Sequence, residues 1–371
     1  MFVHPFGGMQ ERDRASKCCG VIQYSIYRDN PVRFACTFPS QRSIYGAFDS
    51  KENIAMHPNG SNSKVPAPGV WAPAVTFFDP GTDELDLESQ KAYYDYLSQT
   101  GLTGLVILGT NAETFLLTRT ERASLLECAR EAVGPGYPIM AGVGGHSTKQ
   151  VLEYIADAAD AGADYALVLP PGYFGPATTE IVVRNFYAQV AEASTLPIVL
   201  YNFPGVCNGV DLSSSLIAEL ANAHGNIVGV KLTCGSVGKI TRLAAQLPAS
   251  RFSVYGGQSD FLIGGLSVGS AGCIAAFANV FPKTLSRIYK LWTEGQHEEA
   301  LKLHQVASLA EEPCKAGIAS TKYATSMFSA PKAGIKDAEA KLRPRQPYPP
   351  AGEAVQKKIR DTMAEMSKLE G

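Results

Sequence analysis

The chain predicts an α/β fold, a (β/α)8 TIM barrel with a small C-terminal helical appendage. Three observations carry this. Apolar runs recur at 70–78, 104–109, 138–144, 164–170, 197–203, 227–233, 252–256 and 272–277. They are continuously apolar rather than alternating, which suits a parallel sheet covered by helices. Segments with helical spacing separate them, and eight such units over about 225 residues match a closed barrel. An open doubly wound sheet is the alternative. Against it, no GxGxxG follows the first run, and Gly142-Val-Gly-Gly145 has the wrong spacing and follows the third.

Residues 1–65 lack this pattern, and Pro58-Asn-Gly-Ser-Asn-Ser-Lys64 reads as a flexible linker. They are expected to form a disordered extension, or to be untranslated up to residue 55, with Met56 as a second start. Glu11, Asp13, Asp29, Asp49 and Glu52 argue against a transit peptide, so the expected compartment is cytoplasmic, with mitochondrial the alternative. The barrel is assigned to 66–296. Its helices show in Leu152, Ile155 and Ala159, in Leu216 and Leu220, and in Leu285, Ile288 and Trp292, all spaced for one helical face. Thr118-Arg-Thr-Glu121 and Gly145-His-Ser-Thr148 supply hydroxyl caps at helix starts. Residues 297–371 are expected as C-terminal helices over Glu298–Glu311, Lys315–Met327 and 352–368. Proline breaks the pattern between Lys341 and Pro350.

Composition removes several function classes. Hydrophobic residues make up 45%, enough for a large core. Basic and acidic side chains nearly balance at 33 and 35, so no nucleic-acid partner is expected. No apolar stretch is long enough to cross a bilayer, so no membrane partner is expected. The eight cysteines form no CxxC pair and read as reduced thiols. The six histidines show no ligand spacing, and no metal is expected.

Lys231 stands out, inside the otherwise apolar Ile227-Val-Gly-Val-Lys-Leu-Thr233. An ammonium in apolar surroundings loses hydration, which disfavours its charged form and frees an amine to attack a carbonyl carbon. Alternation points Gly229, Lys231 and Thr233 into the barrel and Val228, Val230 and Leu232 towards the helices. Tyr201, ending the previous strand in Pro197-Ile-Val-Leu-Tyr-Asn-Phe-Pro204, lies at the same level as a candidate proton relay. The bland alternative is a lysine snorkelling from a strand end. The loop Gly109-Thr-Asn-Ala-Glu-Thr114 offers hydroxyl, amide and N–H groups for a carboxylate. It is equally an ordinary turn, with Glu113 as a structural acceptor. Tyr173, in Pro170-Pro-Gly-Tyr-Phe-Gly-Pro176, fits a surface aromatic, an interface contact or a site residue. Gly256-Gly257 allows close backbone approach to a ligand. Cys207 and Cys234 read as small space-fillers.

Gly109-Thr-Asn-Ala-Glu113, Tyr201-Asn-Phe-Pro204 and Gly229-Val-Lys231, in that order, resemble the dihydrodipicolinate synthase/N-acetylneuraminate lyase family over about residues 69–345. The resemblance implies a Schiff base on Lys231 with pyruvate or a 2-oxo acid, proton shuttling by Tyr201, and carboxylate binding by Thr110 and Asn111. Tyr173 matches a tyrosine that completes a relay across a subunit interface. Thr233, Gly257 and Ile274 fall where the family lines its pyruvate pocket. It also implies no organic cofactor and a homotetramer built as a dimer of dimers. Two departures narrow the choice. Gly205-Val-Cys-Asn208 lacks the arginine that the synthases carry there, and the Thr-Asn pair with Thr233 looks more like 4-hydroxy-2-oxoglutarate aldolases. Ala112 replaces the family's usual glycine. The expected function is cleavage of a 4-hydroxy-2-oxo acid to pyruvate and an aldehyde, with 4-hydroxy-2-oxoglutarate giving glyoxylate. Alternatives are a 2-oxo-3-deoxy sugar acid aldolase, a condensing enzyme or dehydratase, and a non-catalytic pyruvate-binding protein.

Overall fold

The computed structural model describes residues 65–371, so the expectations for the N-terminal extension and for Met56 lie outside the described residues. Eight parallel strands close on themselves in chain order: β1 (Gly69–Pro73), β2 (Gly104–Ile107), β3 (Ile139–Gly142), β4 (Tyr165–Val168), β5 (Ile198–Asn202), β6 (Ile227–Leu232), β7 (Ser253–Gly256) and β8 (Gly272–Ile274). Pairing of Gly69 with Gly272 completes the ring and excludes the open sheet. Around it run α1 (Leu87–Ser98), α2 (Arg119–Val133), α3 (Thr148–Asp160), α4 (Glu180–Ala193), α5 (Ser214–Ala223), α6 (Val237–Gln246), α7 (Leu262–Leu266) and α8 (Pro282–Thr293). The predicted caps are present. Thr118 and Glu121 form a reciprocal capping box on α2, and the Ser147 hydroxyl accepts from Gln150 N on α3. Each is worth about 1 kcal/mol of helix stability.

The strands are shorter than the apolar runs that announce them. β1 ends at Pro73, yet Phe77 and Phe78 stay buried, and Phe78 N donates to Lys341 O over 2.9 Å. Phe77 packs on Tyr93 of α1, and Phe78 is covered by the C-terminal helices. These are α9 (His297–Glu311), α10 (Ile318–Phe328), α11 (Ala338–Lys341) and α12 (Glu353–Leu369). The helix expected from Lys315 starts later, because Gly317, at φ 130°, separates a 3-10 turn over Glu312–Ala316 from α10. Ala300, Tyr323, Met363 and Met366 join the same apolar core as Val70, Ile107 and Leu232 on the outer face of the barrel. The C-terminal helices therefore share the barrel's core.

Inside the ring a second cluster gathers Trp71, Val106, Met140, Leu167, Val199 and Ile274. At its N-terminal end Tyr165 and Tyr255 set their edges against Trp71, with ring centroids 6.2 and 6.4 Å away. The Tyr255 hydroxyl and Ser253 Oγ donate to Pro66 O over 2.9 and 2.8 Å, which closes that end. Val228 belongs to this interior cluster, not to the helix-facing side where strict alternation placed it. The reason is a β-bulge. Ile198 pairs with Ile227, but Val199 pairs with Gly229, so Val228 is the extra residue. Beyond the bulge alternation resumes, and Lys231 pairs in register with Tyr201 on β5 and Tyr255 on β7. Gly229 is small for a different reason than room beneath the lysine: a Cβ there would sit 2.8 Å from the carbonyl oxygen of Ser253 on β7.

Candidate active site

The chemistry-bearing residues converge at the C-terminal ends of β2, β5 and β6, where a barrel leaves side chains free of the packed interior. Lys231, on β6, is only 2% exposed. Its Nζ donates to Tyr201 Oη on β5 over 3.1 Å and lies 4.2 Å from the centre of the same ring. The phenolic oxygen is in turn 3.3 Å from Thr110 Oγ1, in the turn after β2. Amine, phenol and hydroxyl thus form one chain. Among the described residues no carboxylate pairs with Lys231, whereas Lys239 and Lys322 each pair with one. The snorkelling alternative does not fit a nitrogen held this way inside the barrel mouth.

Thr110, Asn111 and Ala112 form a single 3-10 turn. Ala112 is accommodated because the left-handed positions fall on its neighbours, Leu108 at φ 63° and Glu113 at φ 58°. The Asn111 carboxamide has no partner among the described residues and is partly exposed, so its donors and acceptor are free for a ligand. Thr233 and Gly257 meet at the mouth: a Cβ on Gly257 would fall 2.1 Å from Thr233 Oγ1, so glycine there is a steric requirement. That Thr233 hydroxyl is buried without a hydrogen-bond partner among the described residues. Ile274, fully buried, lines the interior at the same end. Tyr173 is not brought to the chain. It is 70% exposed, and its ring packs on His146 and Phe174 at centroid distances of 5.7 and 5.2 Å. Cys207 is buried, and desolvation pushes its thiol up to about 11, which agrees with a space-filling role.

Lys322 was missed by sequence reasoning. It is fully buried on α10, and its Nζ donates to Glu113 Oε1 over 2.6 Å and to Arg343 O over 2.9 Å. Arg345 N donates to the other oxygen of Glu113 over 2.8 Å. Burial pushes the Lys322 ammonium below its ordinary value, while the facing Glu113 carboxylate opposes that shift. The pair fastens the Thr110–Ala112 turn to the C-terminal helices. A signal was available: Lys322 is the sole charge between Lys315 and Lys332. Among the described residues no group of three or more His, Cys, Asp or Glu side chains is placed to hold a metal ion, and no helix is long and apolar enough to cross a membrane.

Comparison with known proteins identifies the family. The sequence profile of the Dihydrodipicolinate synthetase family matches residues 67–366. A Coccidioides immitis protein provisionally named mitochondrial 4-hydroxy-2-oxoglutarate aldolase is 66% identical over 307 residues, covering 83% of this chain and 98% of that protein. The L-threo-3-deoxy-hexylosonate aldolase of Hypocrea jecorina is 39% identical, covering 70% of this chain and 86% of its own. A crystal structure of YagE, a prophage protein of Escherichia coli K12 in complex with pyruvate, superimposes with a TM-score of 0.73 at 27% identity, covering 81% of this chain and 99% of its own. The chain belongs to the dihydrodipicolinate synthetase family, as an aldolase-type lyase.

Proposed function

We propose that the protein cleaves 4-hydroxy-2-oxoglutarate to pyruvate and glyoxylate through a Schiff base on Lys231. The observation that carries this reading is the buried chain from Lys231 Nζ through Tyr201 Oη to Thr110 Oγ1, with steps of 3.1 and 3.3 Å. Lys231 Nζ adds to the 2-oxo carbon, and loss of water gives an iminium. Tyr201 relays the C4 hydroxyl proton through Thr110. The C3–C4 electron pair moves into the iminium, releasing the aldehyde and leaving an enamine. A proton returned to C3, followed by water, frees pyruvate and restores the amine. Positioned proton transfer of this kind contributes about 10²–10⁴-fold. Thr110 and Asn111 hold the substrate's 2-oxo carboxylate, which fixes the carbonyl over the amine. Thr233, Gly257 and Ile274 shape the pyruvate pocket. No step needs a cofactor, because Lys231 is itself the electron sink's anchor.

Tyr173, too exposed to reach the relay within its own chain, is assigned to a neighbouring subunit's site in a dimer-of-dimers tetramer. The Coccidioides relative's name supports a mitochondrial over a cytoplasmic compartment, to be checked by cell fractionation. The hexylosonate aldolase relative favours a second substrate reading, a 2-oxo-3-deoxy sugar acid. Pyruvate release from both substrates ranks them. Borohydride reduction with pyruvate tests the Schiff base: a mass adduct on the peptide containing Lys231 is expected, and its absence would falsify the mechanism.

A further inference from the structure

We propose that the N-terminus of α10 is a subsite for a second carboxylate, at the end of the substrate remote from the 2-oxo group. The inference rests on the aldolase reading and deepens it: the preferred substrate is a dicarboxylate. A cavity of about 600 Å³ opens between the carboxylate-binding turn and the C-terminal helices. Thr110 lines one side, so the cavity shares that residue with the site around Lys231. The opposite side is Gly317, Ile318, Ala319 and Ser320, the first residues of α10. No side chain caps this helix. The amides of Ile318, Ala319 and Ser320 have no acceptor among the described residues, since the first returning bond is Thr321 N to Gly317 O. Such an end presents donors and the positive pole of the helix.

Two side chains make the same point independently. Ser320 is 3% exposed, lines the cavity, and its hydroxyl has no hydrogen-bond partner among the described residues. Thr114, 4% exposed, lines it too, and its Oγ1 is buried and unpartnered. A buried hydroxyl left without a partner, as at Thr114, is uncommon, and a ligand that accepts from it would remove the penalty. The free backbone groups are donors only, and a carboxylate is an acceptor only. A polyol tail can also accept from these amides, but it brings no negative charge to meet the positive pole of the helix. Glu113, the sole charged lining residue among the described residues, does not repel an anion strongly, because Lys322 Nζ lies 2.6 Å from it and Arg345 N binds its other oxygen. α10 has 11 residues and packs against the Thr110 turn.

The test uses calorimetric titration of the full chain with 2-oxoglutarate and with 2-oxopentanoate, which has the same length without the second carboxylate. Wild type is expected to bind 2-oxoglutarate about tenfold tighter, the size of a hydrogen-bonded charge interaction. Ser320→Ala and Thr114→Val should each cut that ratio by about 3-fold or more, and Ser320→Asp should bring it to one or below. Melting curves confirm that each variant is folded, and Thr114→Val, nearly isosteric, stands in if the Ser320 variants are not. Equal affinities in wild type, or a ratio unchanged in every folded variant, overturns the subsite. The borohydride adduct is scored separately. Its loss sinks the Schiff-base reading without altering the affinity ratio, and a flat ratio with the adduct intact sinks the subsite alone.

Discussion

Lys231 and Lys322 are both buried lysines, and one short turn reaches both. Thr110 touches the phenol that holds Lys231, and Glu113, three residues on, grips Lys322. Their partners separate them. Lys322 faces a carboxylate at 2.6 Å and a backbone carbonyl at 2.9 Å, so its charge is answered. Lys231 faces a phenol oxygen and the ring to which it belongs. Burial therefore does not mark a nucleophile by itself; the groups facing the nitrogen do. A paired lysine fastens two parts of the fold, and one without a counter-charge is the proposed nucleophile.

The largest expected effect separates the two functions at Lys231. Lys231→Ala should lower pyruvate release by at least about 10³-fold, since the covalent route is lost. Its melting temperature should hold or rise, because no carboxylate loses a partner. Retained turnover would mean that the amine is not the nucleophile. Lys322→Ala should behave oppositely. Stripping one partner from a buried pair costs about 3–5 kcal/mol, read as a shift in urea unfolding. The double variant Glu113→Gln/Lys322→Met should recover most of that loss. A single variant as stable as wild type would reject the fastening role. Tyr201→Phe sharpens the contrast from the other side. It removes the relay oxygen but leaves the ring, so kcat should fall about 10²-fold while the Lys231 adduct still forms. An unchanged kcat would move the relay elsewhere.

The barrel and the first of these lysines were legible in the sequence because both follow from local pattern. Eight apolar runs and a lysine inside one of them need no knowledge of what lies opposite. Val228 was misplaced because a bulge depends on the pairing of two strands, and β6 alone does not show it. Tyr201 was legible by level, since the ends of neighbouring parallel strands meet. Lys322 was not, because Glu113 lies 209 residues away in sequence. Its side of the site was read as an appendage. The cavity beside the start of α10 depends on the same long-range closure, so the sequence singled out no role for Ser320 and placed Thr114 only in the loop offered to a carboxylate. Tyr173 kept three readings in the sequence, and one chain alone leaves it pointing to solvent.

Glu311 supplies the smallest and most specific test of the rule, with the charge sign reversed. It is buried on α9, and its carboxyl accepts from Ser259 Oγ over 2.6 Å and Ser259 N over 3.2 Å. No cation pairs with it among the described residues; nearby Lys315 pairs with Asp260 instead. Burial pushes this carboxyl up to about 7 against the pull of the Ser259 hydroxyl. The sign follows from linkage. A folded-state value above the unfolded one means the native state holds the proton more tightly, so the contribution is full below the unfolded value near 4.5 and is lost as pH rises through about 7. Between about pH 5.5 and 8 wild type should lose about 2 kcal/mol from this group. Glu311→Gln keeps the shape and the Ser259 contact and should flatten that part of the profile, as measured by urea unfolding at several pH values. If the slope persists in the variant, another group carries it. In that case a hydroxyl partner suffices to keep a buried carboxylate charged, and the reading of Lys231 from its partners weakens with it.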